Sequence, residues 1–455
     1  MDARSLSFED ASFGSAAPAA DLRTPPWTPG RTPFLVLMPT YGGTLAAVRA
    51  LGRHGIPVTV AGQEFLAPAR WSRYATRWLT CPPVAEKDRL LEWLLAFGRR
   101  ERPHVLYASS DDLAFLLSAN LTALEPHFHL YQPPIATIVG ILDKKKLLEA
   151  CRAVGLDGVP TWFPEGEADI PRIACEATFP VLLKVRTQVR QLRQNKGIVV
   201  ERASDLLPAY RRFLAEHPYR PGLEPFFGDV RQPMIQRYLP QAAQGVYSLT
   251  GFIDRSGALS AMRGAIKVFQ RTRPVGLGLA FEAAPVDASL AARVVDLCRA
   301  LGHFGVFEVE FLREGERSMV IDMNPRFYGQ MGFETARGLP LPVAVYHAAR
   351  GDTDALHASL NAAARSTGGA TIYAHRFVFQ ALLAAQRVGG SMSGADYGRW
   401  RTWYRQNRNS AADASADRLD WKPAIVHAAA EFLPGVRMLY RRLLPNPQRE
   451  SPPHV

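Results

Sequence analysis

The stretch VEFLREGERSMVIDMNPR, residues 309–326, determines the interpretation of the rest of the chain. Its two apolar runs are separated by a polar turn around Gly315, which is the pattern of a β-hairpin. Glu310 interrupts the first run, and Asp322 and Asn324 interrupt the second. Because residues two apart in a strand share a face, we expect Asp322 and Asn324 to point together, with Glu310 opposite them.

This face would bring together two carboxylates and one amide oxygen. Such hard oxygen ligands suit Mg²⁺, which keeps water and phosphate in its remaining positions. Arg326 follows the second strand, where a guanidinium is suited to an anion. The competing interpretation places Glu310 and Asp322 on the surface, paired with arginine, but both acids stand among apolar neighbours. The hairpin therefore predicts a site for a metal-bridged phosphate.

The first part of the chain has the pattern of a small parallel α/β domain. An apolar run at 34–38 is followed by a Gly42-Gly43 turn, a helical stretch and a second apolar run at 57–61. This order predicts a parallel unit with a right-handed crossover. A third apolar run at 104–108 ends in the polar residues 109–112, at the edge where parallel sheets place ligands.

Two questions about this domain stay open at the level of sequence. The full glycine fingerprint of a dinucleotide site is absent, so the two glycines favour a plain tight turn over NAD binding. Ser109, Asp111 and Asp112 either contact a substrate or cap the helix that follows them.

The middle of the chain has a mixed α+β pattern. Asp143 suits the N-cap of a helix that carries Lys144 in its first turn. Short apolar runs separated by turn residues predict largely antiparallel strands. We expect them at 179–185, 197–200, 234–239, 246–254, 258–263, 306–312 and 319–323.

These residues resemble the ATP-grasp superfamily, in particular its carboxylate–amine ligases and carbamoyl-phosphate-synthase-like members. Asp322-Met323-Asn324-Pro325-Arg326 is similar to the family's acid–x–Asn–Pro–Arg motif, with Glu310 twelve residues before Asp322. The resemblance covers about 34–350. It implies a Rossmann-like preATP-grasp domain followed by a two-lobed ATP-grasp domain. Within that span the boundaries are 33–135 for the preATP-grasp α/β domain and 136–240 and 241–350 for the lobes. Composition and pattern add a disordered tail at 1–32, rich in Ala, Ser and Pro, and a basic, mainly helical C-terminal extension at 351–455.

The resemblance also implies roles for individual residues. Glu310, Asp322 and Asn324 would hold Mg²⁺ or Mn²⁺, and Arg326 would steady the transferred phosphoryl group or the substrate. The remaining implied contacts to ATP are Lys144, Lys184 and Lys196 at the phosphates, Lys267 and Arg273 at the triphosphate, and Gln236, Arg237, Tyr238 and Leu239 in the hinge that reads adenine.

The chain departs from the family pattern at several places. Gln236 and Asp322 stand where Glu is more common, and no acid suited to the ribose is evident at 241–244. The glycine-rich phosphate lid is replaced by a basic loop at 185–197. This loop could cover phosphates, bind an anionic substrate or be solvated.

The implied function is an ATP-dependent, Mg²⁺-dependent ligase. It would activate a small carboxylate as an acyl phosphate for attack by an amine or similar nucleophile. The missing lid and ribose acid motivate an alternative, a non-catalytic ATP-binding protein. A second alternative is a membrane-surface protein docked through 371–455. The sequence does not name the carboxylate, the amine or the oligomeric state.

Charge and composition bound these alternatives. The formal net charge is +12, and half of it lies in 371–455, where Trp400, Trp403 and Tyr404 stand among arginines. These rings either meet lipid headgroups, stack on bases or pack on the core, and the absence of a recognised binding module argues against nucleic acid. No apolar run is long enough for a membrane span, and no Cys/His cluster suggests zinc, so we expect a cytoplasmic enzyme.

Overall fold

The computed structural model describes residues 30–189, 197–217, 222–228, 230–240, 245–271, 277–366 and 368–431. Its strands are β1 (Phe34–Val36), β2 (Val58–Ala61), β3 (Ala75–Leu79), β4 (His104–Leu106), β5 (Phe128–Leu130), β6 (Asp157–Gly158), β7 (Thr161–Trp162), β8 (Val181–Lys184), β9 (Ile198–Val200), β10 (Met234–Arg237), β11 (Val246–Ile253), β12 (Ser260–Arg271), β13 (Leu277–Ala284), β14 (Gly305–Glu314), β15 (Arg317–Asn324), β16 (Ile372–Ala374) and β17 (Ala411–Asp413).

The helices alternate with these strands in the first third of the chain and gather again after β15. They are α1 (Gly42–Arg53), α2 (Lys87–Arg100), α3 (Asp111–Ala119), α4 (Leu121–Leu124), α5 (Ile135–Leu142), α6 (Lys144–Ala153), α7 (Ile170–Glu176), α8 (Leu206–Glu216), α9 (Glu224–Phe227), α10 (Ala288–Leu301), α11 (Met331–Ala336), α12 (Leu341–Arg350), α13 (Thr353–Arg365), α14 (Arg376–Val388) and α15 (Gly394–Asn407). None of the described helices has the length and apolar composition needed to span a membrane.

The first sheet is parallel throughout and has the order β3-β2-β1-β4-β5. The three central strands, β2, β1 and β4, are short and buried on both faces, as their apolar runs predict. The strand order reverses between β1 and β4, so the loops that leave these two strands open a crevice at the carboxyl edge. Tyr41 lies in the loop after β1, and Asp111 begins α3 after β4.

Two further sheets carry the middle of the chain. One is four-stranded and antiparallel, in the order β7-β10-β8-β9. The other is eight-stranded, in the order β17-β16-β13-β12-β11-β14-β15-β6, and only its two outermost pairs are parallel. The predicted pairing of 179–185 with 197–200 is confirmed by the β8–β9 register, which sets Val181 against Val200.

The long hairpin of β12 and β13 differs from the expectation. We expected the strand to end at Arg263, but β12 continues to Arg271 because β11 pairs with it as far as Lys267 and β13 covers its other edge. Lys267 therefore lies on a strand in the middle of a sheet, which fixes its direction.

The chain after residue 351 packs against the preceding domains, and two of its contacts involve the large sheet. β16 adds to the edge of the large sheet by pairing with β13, and β17 pairs with β16. The rings of Trp400 and Trp403 pack on Phe379, and Trp400 also meets Phe269 of β12. Of the three interpretations of these aromatic residues, the structure supports packing on the core.

Candidate functional site

The hairpin of β14 and β15 brings the predicted acids face to face. Glu310 pairs in register with Asp322, and the register shifts immediately beyond Glu310. Asn324 lies two residues farther on the same strand and pairs with Glu308. Glu310 therefore lies directly opposite Asp322, as expected, and diagonally opposite Asn324.

Each of the two acids is held by a lysine from a different element. Lys144 Nζ donates to Asp322 Oδ1 at 2.6 Å, and Lys267 forms an ion pair with Glu310. Burial alone would raise the pKa of Asp322, but Lys144, Lys184 and Arg326 outweigh burial and lower it. Burial likewise would lower the pKa of Lys267, but nearby carboxylates, chiefly Glu310, raise it overall. Asp322 stays ionised and Lys267 stays protonated at neutral pH.

The start of α6 places Lys144. Asp143 caps the helix, since its carboxylate accepts from the Lys145 N–H at 3.0 Å. The same buried carboxylate accepts two hydrogen bonds from Arg186, at 2.7 and 2.6 Å, and the Lys144 N–H donates to the Arg186 carbonyl at 3.1 Å. A bidentate guanidinium fixes both position and direction. Arg186 belongs to the basic loop whose role the sequence left open between phosphate, anionic substrate and solvent, and it secures the helix that carries Lys144.

Arg326 connects the hairpin to the crevice of the first sheet. Its Nε donates to Asp111 Oδ1 at 2.7 Å, and one terminal nitrogen donates to Asn324 Oδ1 at 2.9 Å. The other terminal nitrogen donates to the Tyr41 hydroxyl at 3.3 Å. Burial acts to lower the pKa of Arg326, but Asp111 and Tyr41 raise it overall. The side chain of Ser110 caps α3 by accepting from the Leu113 N–H, so the carboxylate of Asp111 is available to pair with Arg326.

The hairpin also holds a carboxylate that we did not expect in the site. Glu308 is buried, accepts from Asn324 Nδ2 at 2.9 Å and is hydrogen-bonded to Gln330. Burial, followed by the charge of Glu310, raises the pKa of Glu308 to about 8. The signal was present in the sequence, because Glu308 and Glu310 stand two apart on one strand and so share a face.

The residues expected to form the adenine hinge lie at the end of β10, in the four-stranded sheet, and directly after it. Gln236 is buried in β10 and donates from its amide to Thr161 Oγ1 at 3.0 Å. The N–H groups of Arg237 and Tyr238 donate to Pro160 and Pro180, and the Arg237 side chain pairs with Glu314. Leu239 is buried, and its N–H makes no backbone hydrogen bond to another described residue.

The other predicted phosphate contacts fall into two groups. Lys184 ends β8 and lies close enough to Asp322 to lower its pKa. Lys196 and Arg273, together with the segment 241–244, lie outside the described residues.

Comparison with solved structures identifies this architecture. The biotin carboxylase domain of 2-oxoglutarate carboxylase from Hydrogenobacter thermophilus, solved with MgADP and bicarbonate, matches with a TM-score of 0.56. The match has 17% identity and covers 70% of this chain and 69% of that chain. This chain has the ATP-grasp fold.

Two further ATP-grasp structures show the same likeness. An L-amino acid ligase from Bacillus licheniformis has a TM-score of 0.52 at 14% identity, over 70% of this chain and 75% of that chain. An N5-carboxyaminoimidazole synthetase from Staphylococcus aureus has a TM-score of 0.51 at 13% identity, over 71% of this chain and 79% of that chain. No protein-family model and no curated protein matches the chain.

The donor set fits a metal that is shared with phosphate. Within the described ranges, no group of three or more His, Cys, Asp or Glu side chains forms a metal site, so protein ligands alone do not enclose a cation. Glu310, Asp322 and Asn324 are neighbours in the register of the hairpin and would offer a cation a few oxygen atoms. Mg²⁺ prefers such sites, in which water and substrate phosphates complete its octahedron.

Proposed function

We propose that this ATP-grasp chain is a Mg²⁺- and ATP-dependent ligase that joins a small carboxylate to an amine or similar nucleophile. The observation that carries the proposal is the set of two ion pairs, Lys144 with Asp322 and Lys267 with Glu310, on one partly buried face. The likeness to a biotin carboxylase, an L-amino acid ligase and a carboxyaminoimidazole synthetase supports the same reaction class.

The proposed reaction needs a phosphoryl acceptor and a second nucleophile. An oxygen of the substrate carboxylate attacks the γ-phosphorus of ATP, which forms an acyl phosphate and releases ADP. The amine then attacks the acyl carbon, phosphate leaves, and the amine proton is lost to solvent or base. Positioning and charge neutralisation supply most of the catalysis in such transfers.

The residues of the cleft divide this work. Glu310, Asp322 and Asn324 would hold Mg²⁺, which would supply positive charge to neutralise the phosphates. Lys144 and Lys267 move from the carboxylates to the phosphates, because both ammonium groups already lie on that face. The buried guanidinium of Arg326 orients the substrate carboxylate beside the crevice of the first sheet.

The nucleotide base is expected at the hinge. Its edge needs an acceptor and a donor from the backbone, and the N–H of Leu239 is the donor with no backbone partner among the described hinge residues. Lys184 is proposed to contact the phosphates from β8, because its charge already acts on Asp322. Lys196 and Arg273 keep the phosphate roles that the sequence implies.

Release of ADP from the purified full chain tests the proposal. The protein is incubated with Mg-ATP and pools of carboxylates and amines, and ADP is measured with each pool alone and with both. We expect release that requires both pools and falls at least about 100-fold in Glu310→Ala, since metal-ligand and charge-stabilising groups contribute on this scale. Glu316→Ala, in the exposed turn of the same hairpin, is the matched control and should behave as wild type.

Two outcomes would contradict the ligase proposal. ADP release that is equal in the two variants would remove Glu310 from the reaction. Tight binding of ATP without ADP release from any combination of pools would support the non-catalytic ATP-binding protein instead.

A further inference from the structure

A second basic site lies far from the acidic hairpin, in the region after β16. A pocket of about 190 Å³ opens between helices α14 and α15. Its lining consists of four arginines, one tyrosine and one glutamine: Arg376, Arg401, Arg405, Arg408, Tyr404 and Gln380. The helices rest on the β12–β13–β16 end of the large sheet, whereas Glu310 is on β14, beyond β11 in the strand order.

The positive charge of this pocket is not balanced by acidic side chains. In the part of the chain that the structure describes, none of the four lining arginines forms an ion pair, although the neighbouring Arg399 of α15 pairs with Asp396. The nearby carboxylate of Asp413 accepts backbone N–H groups of Arg376, Ser415 and Ala416. Among the residues that the structure describes, the lining contains no carboxylate, so the guanidinium groups repel one another.

The arrangement of the arginines follows from helix geometry. Arg401, Arg405 and Arg408 stand four and three residues apart, which places them along one face. Arg376 faces them from the first turn of α14. This face cannot turn away from the pocket, because the opposite side of α15 is anchored by Trp400 and Trp403 against Phe379.

The size of the pocket limits its ligand. Sites for drug-sized molecules enclose about 300–1,000 Å³, so a pocket of about 190 Å³ takes a smaller group. Guanidinium groups bind phosphate in a bidentate manner and are the usual choice for this anion. The Tyr404 ring is mostly buried beneath the arginines, so one wall is rigid.

We propose that this arginine pocket binds the phosphate group of a small, soluble, phosphorylated anion. The bound phosphate relieves the repulsion among Arg376, Arg401, Arg405 and Arg408. A lipid headgroup is the other source of the same chemistry. The aromatic rings that would accompany a headgroup into the membrane, Trp400 and Trp403, are packed on the core instead.

Calorimetric titration of the full chain with pyrophosphate at constant ionic strength tests the site. The nucleotide site is the same in every variant, so a difference between the variants reports binding at the arginine pocket. We expect the double variant Arg401→Gln, Arg405→Gln to raise the Kd for pyrophosphate by about tenfold or more, because it removes two charge-assisted contacts. Arg399→Gln is the matched control on the same helix and should leave the Kd unchanged, since Arg399 pairs with Asp396.

Co-sedimentation with vesicles that contain phosphatidic acid separates the two sources. Pyrophosphate binding that depends on Arg401 and Arg405, without sedimentation, supports a soluble ligand. Equal pyrophosphate binding by the double variant and the control overturns the pocket as a phosphate site. If sedimentation depends on Arg401 and Arg405 but the protein does not bind pyrophosphate, the proposal of a soluble ligand is overturned.

Discussion

A buried ion pair ties the end of the described chain to its beginning. Asp420 Oδ2 accepts from Arg49 Nε of α1 at 2.9 Å and from Ser72 Oγ at 2.7 Å, and its Oδ1 accepts from the Arg73 N–H at 2.7 Å. The exposed fractions of the Arg49 and Asp420 side chains are 8% and 1%. Arg49 also donates to the carbonyl of Ser415 at 2.8 Å and to that of Asp420 at 2.9 Å. We predict that this cluster closes the C-terminal segment onto the first domain.

The substitution Asp420→Ala measures what this cluster contributes. It leaves the Arg49 guanidinium buried without its counter-ion, which costs about 3–5 kcal/mol in comparable pairs. Because a chain of several domains need not unfold in one step, the cost is expected as local opening rather than as a shift of the whole transition. A cost of about 3 kcal/mol corresponds to an opening equilibrium that is about 100-fold more favourable. Asp420→Asn keeps an acceptor for Ser72, so its opening equilibrium should lie between those of the wild type and Asp420→Ala.

Hydrogen exchange followed by mass spectrometry provides the assay. Peptides that cover 411–420 and the contacting residues of α1 should exchange about 100-fold faster in Asp420→Ala, while peptides of the β14–β15 hairpin keep their rates. Arg418→Ala is the matched control, since Arg418 is exposed in the same segment and its loss should change stability by no more than about 0.5 kcal/mol. Equal exchange in the Asp420 and Arg418 variants would refute the reasoning.

Three further predictions follow from buried charge elsewhere in the chain. Burial lowers the pKa of His303 to about 4, so between about pH 6.5 and pH 4 the unfolded chain binds a proton that the folded chain does not. Stability should therefore decrease as the pH is lowered through this window. In urea unfolding, His303→Leu should remove up to about 1.4 kcal/mol per pH unit from the slope of the free energy of unfolding against pH, whereas the exposed His357→Gln should leave that slope unchanged. Arg186→Ala removes the bidentate partner of Asp143 and should weaken ADP binding, measured by calorimetry, by about tenfold or more, while Arg202→Ala, in an exposed ion pair, should have no effect. Chelation of Mg²⁺ with EDTA should weaken ADP binding in the same assay, and equal affinity with and without the metal would contradict the proposed donor set.

The sequence best predicts the features that depend on residues close together in the chain. The acidic hairpin, the cap at Asp143 and the parallel first sheet all arise from neighbours in the chain, and the structure contains each of them. β13 was not predicted because LGLAFEAA contains no β-branched residue, and its pairing with β12 and β16 forms it instead. Strand propensity depends on such partners, which are distant in sequence.

The parts of the site that were missed depend on long-range contacts in the same way. Nothing near Arg186 shows that its guanidinium pairs with Asp143, because the two residues are 43 apart in sequence. Asp111 and Arg326 are 215 apart, and the crevice between β1 and β4 brings them together. The acids of the candidate site could therefore be predicted from their spacing. Their partners could not, because the packing of the three sheets brings them together.

The charge balance of the cleft links these partners to the proposed function. Two lysines and two acids already neutralise each other on the hairpin face, so a triphosphate that recruits the lysines would take these partners from the partly buried Glu310 and Asp322. Unpaired buried carboxylates are costly. A divalent cation held by Glu310 and Asp322 would offset this cost, because the carboxylates would keep a positive partner when Lys144 and Lys267 turn to the phosphates. Metal and nucleotide are therefore expected to bind this face together, and each should bind weakly without the other.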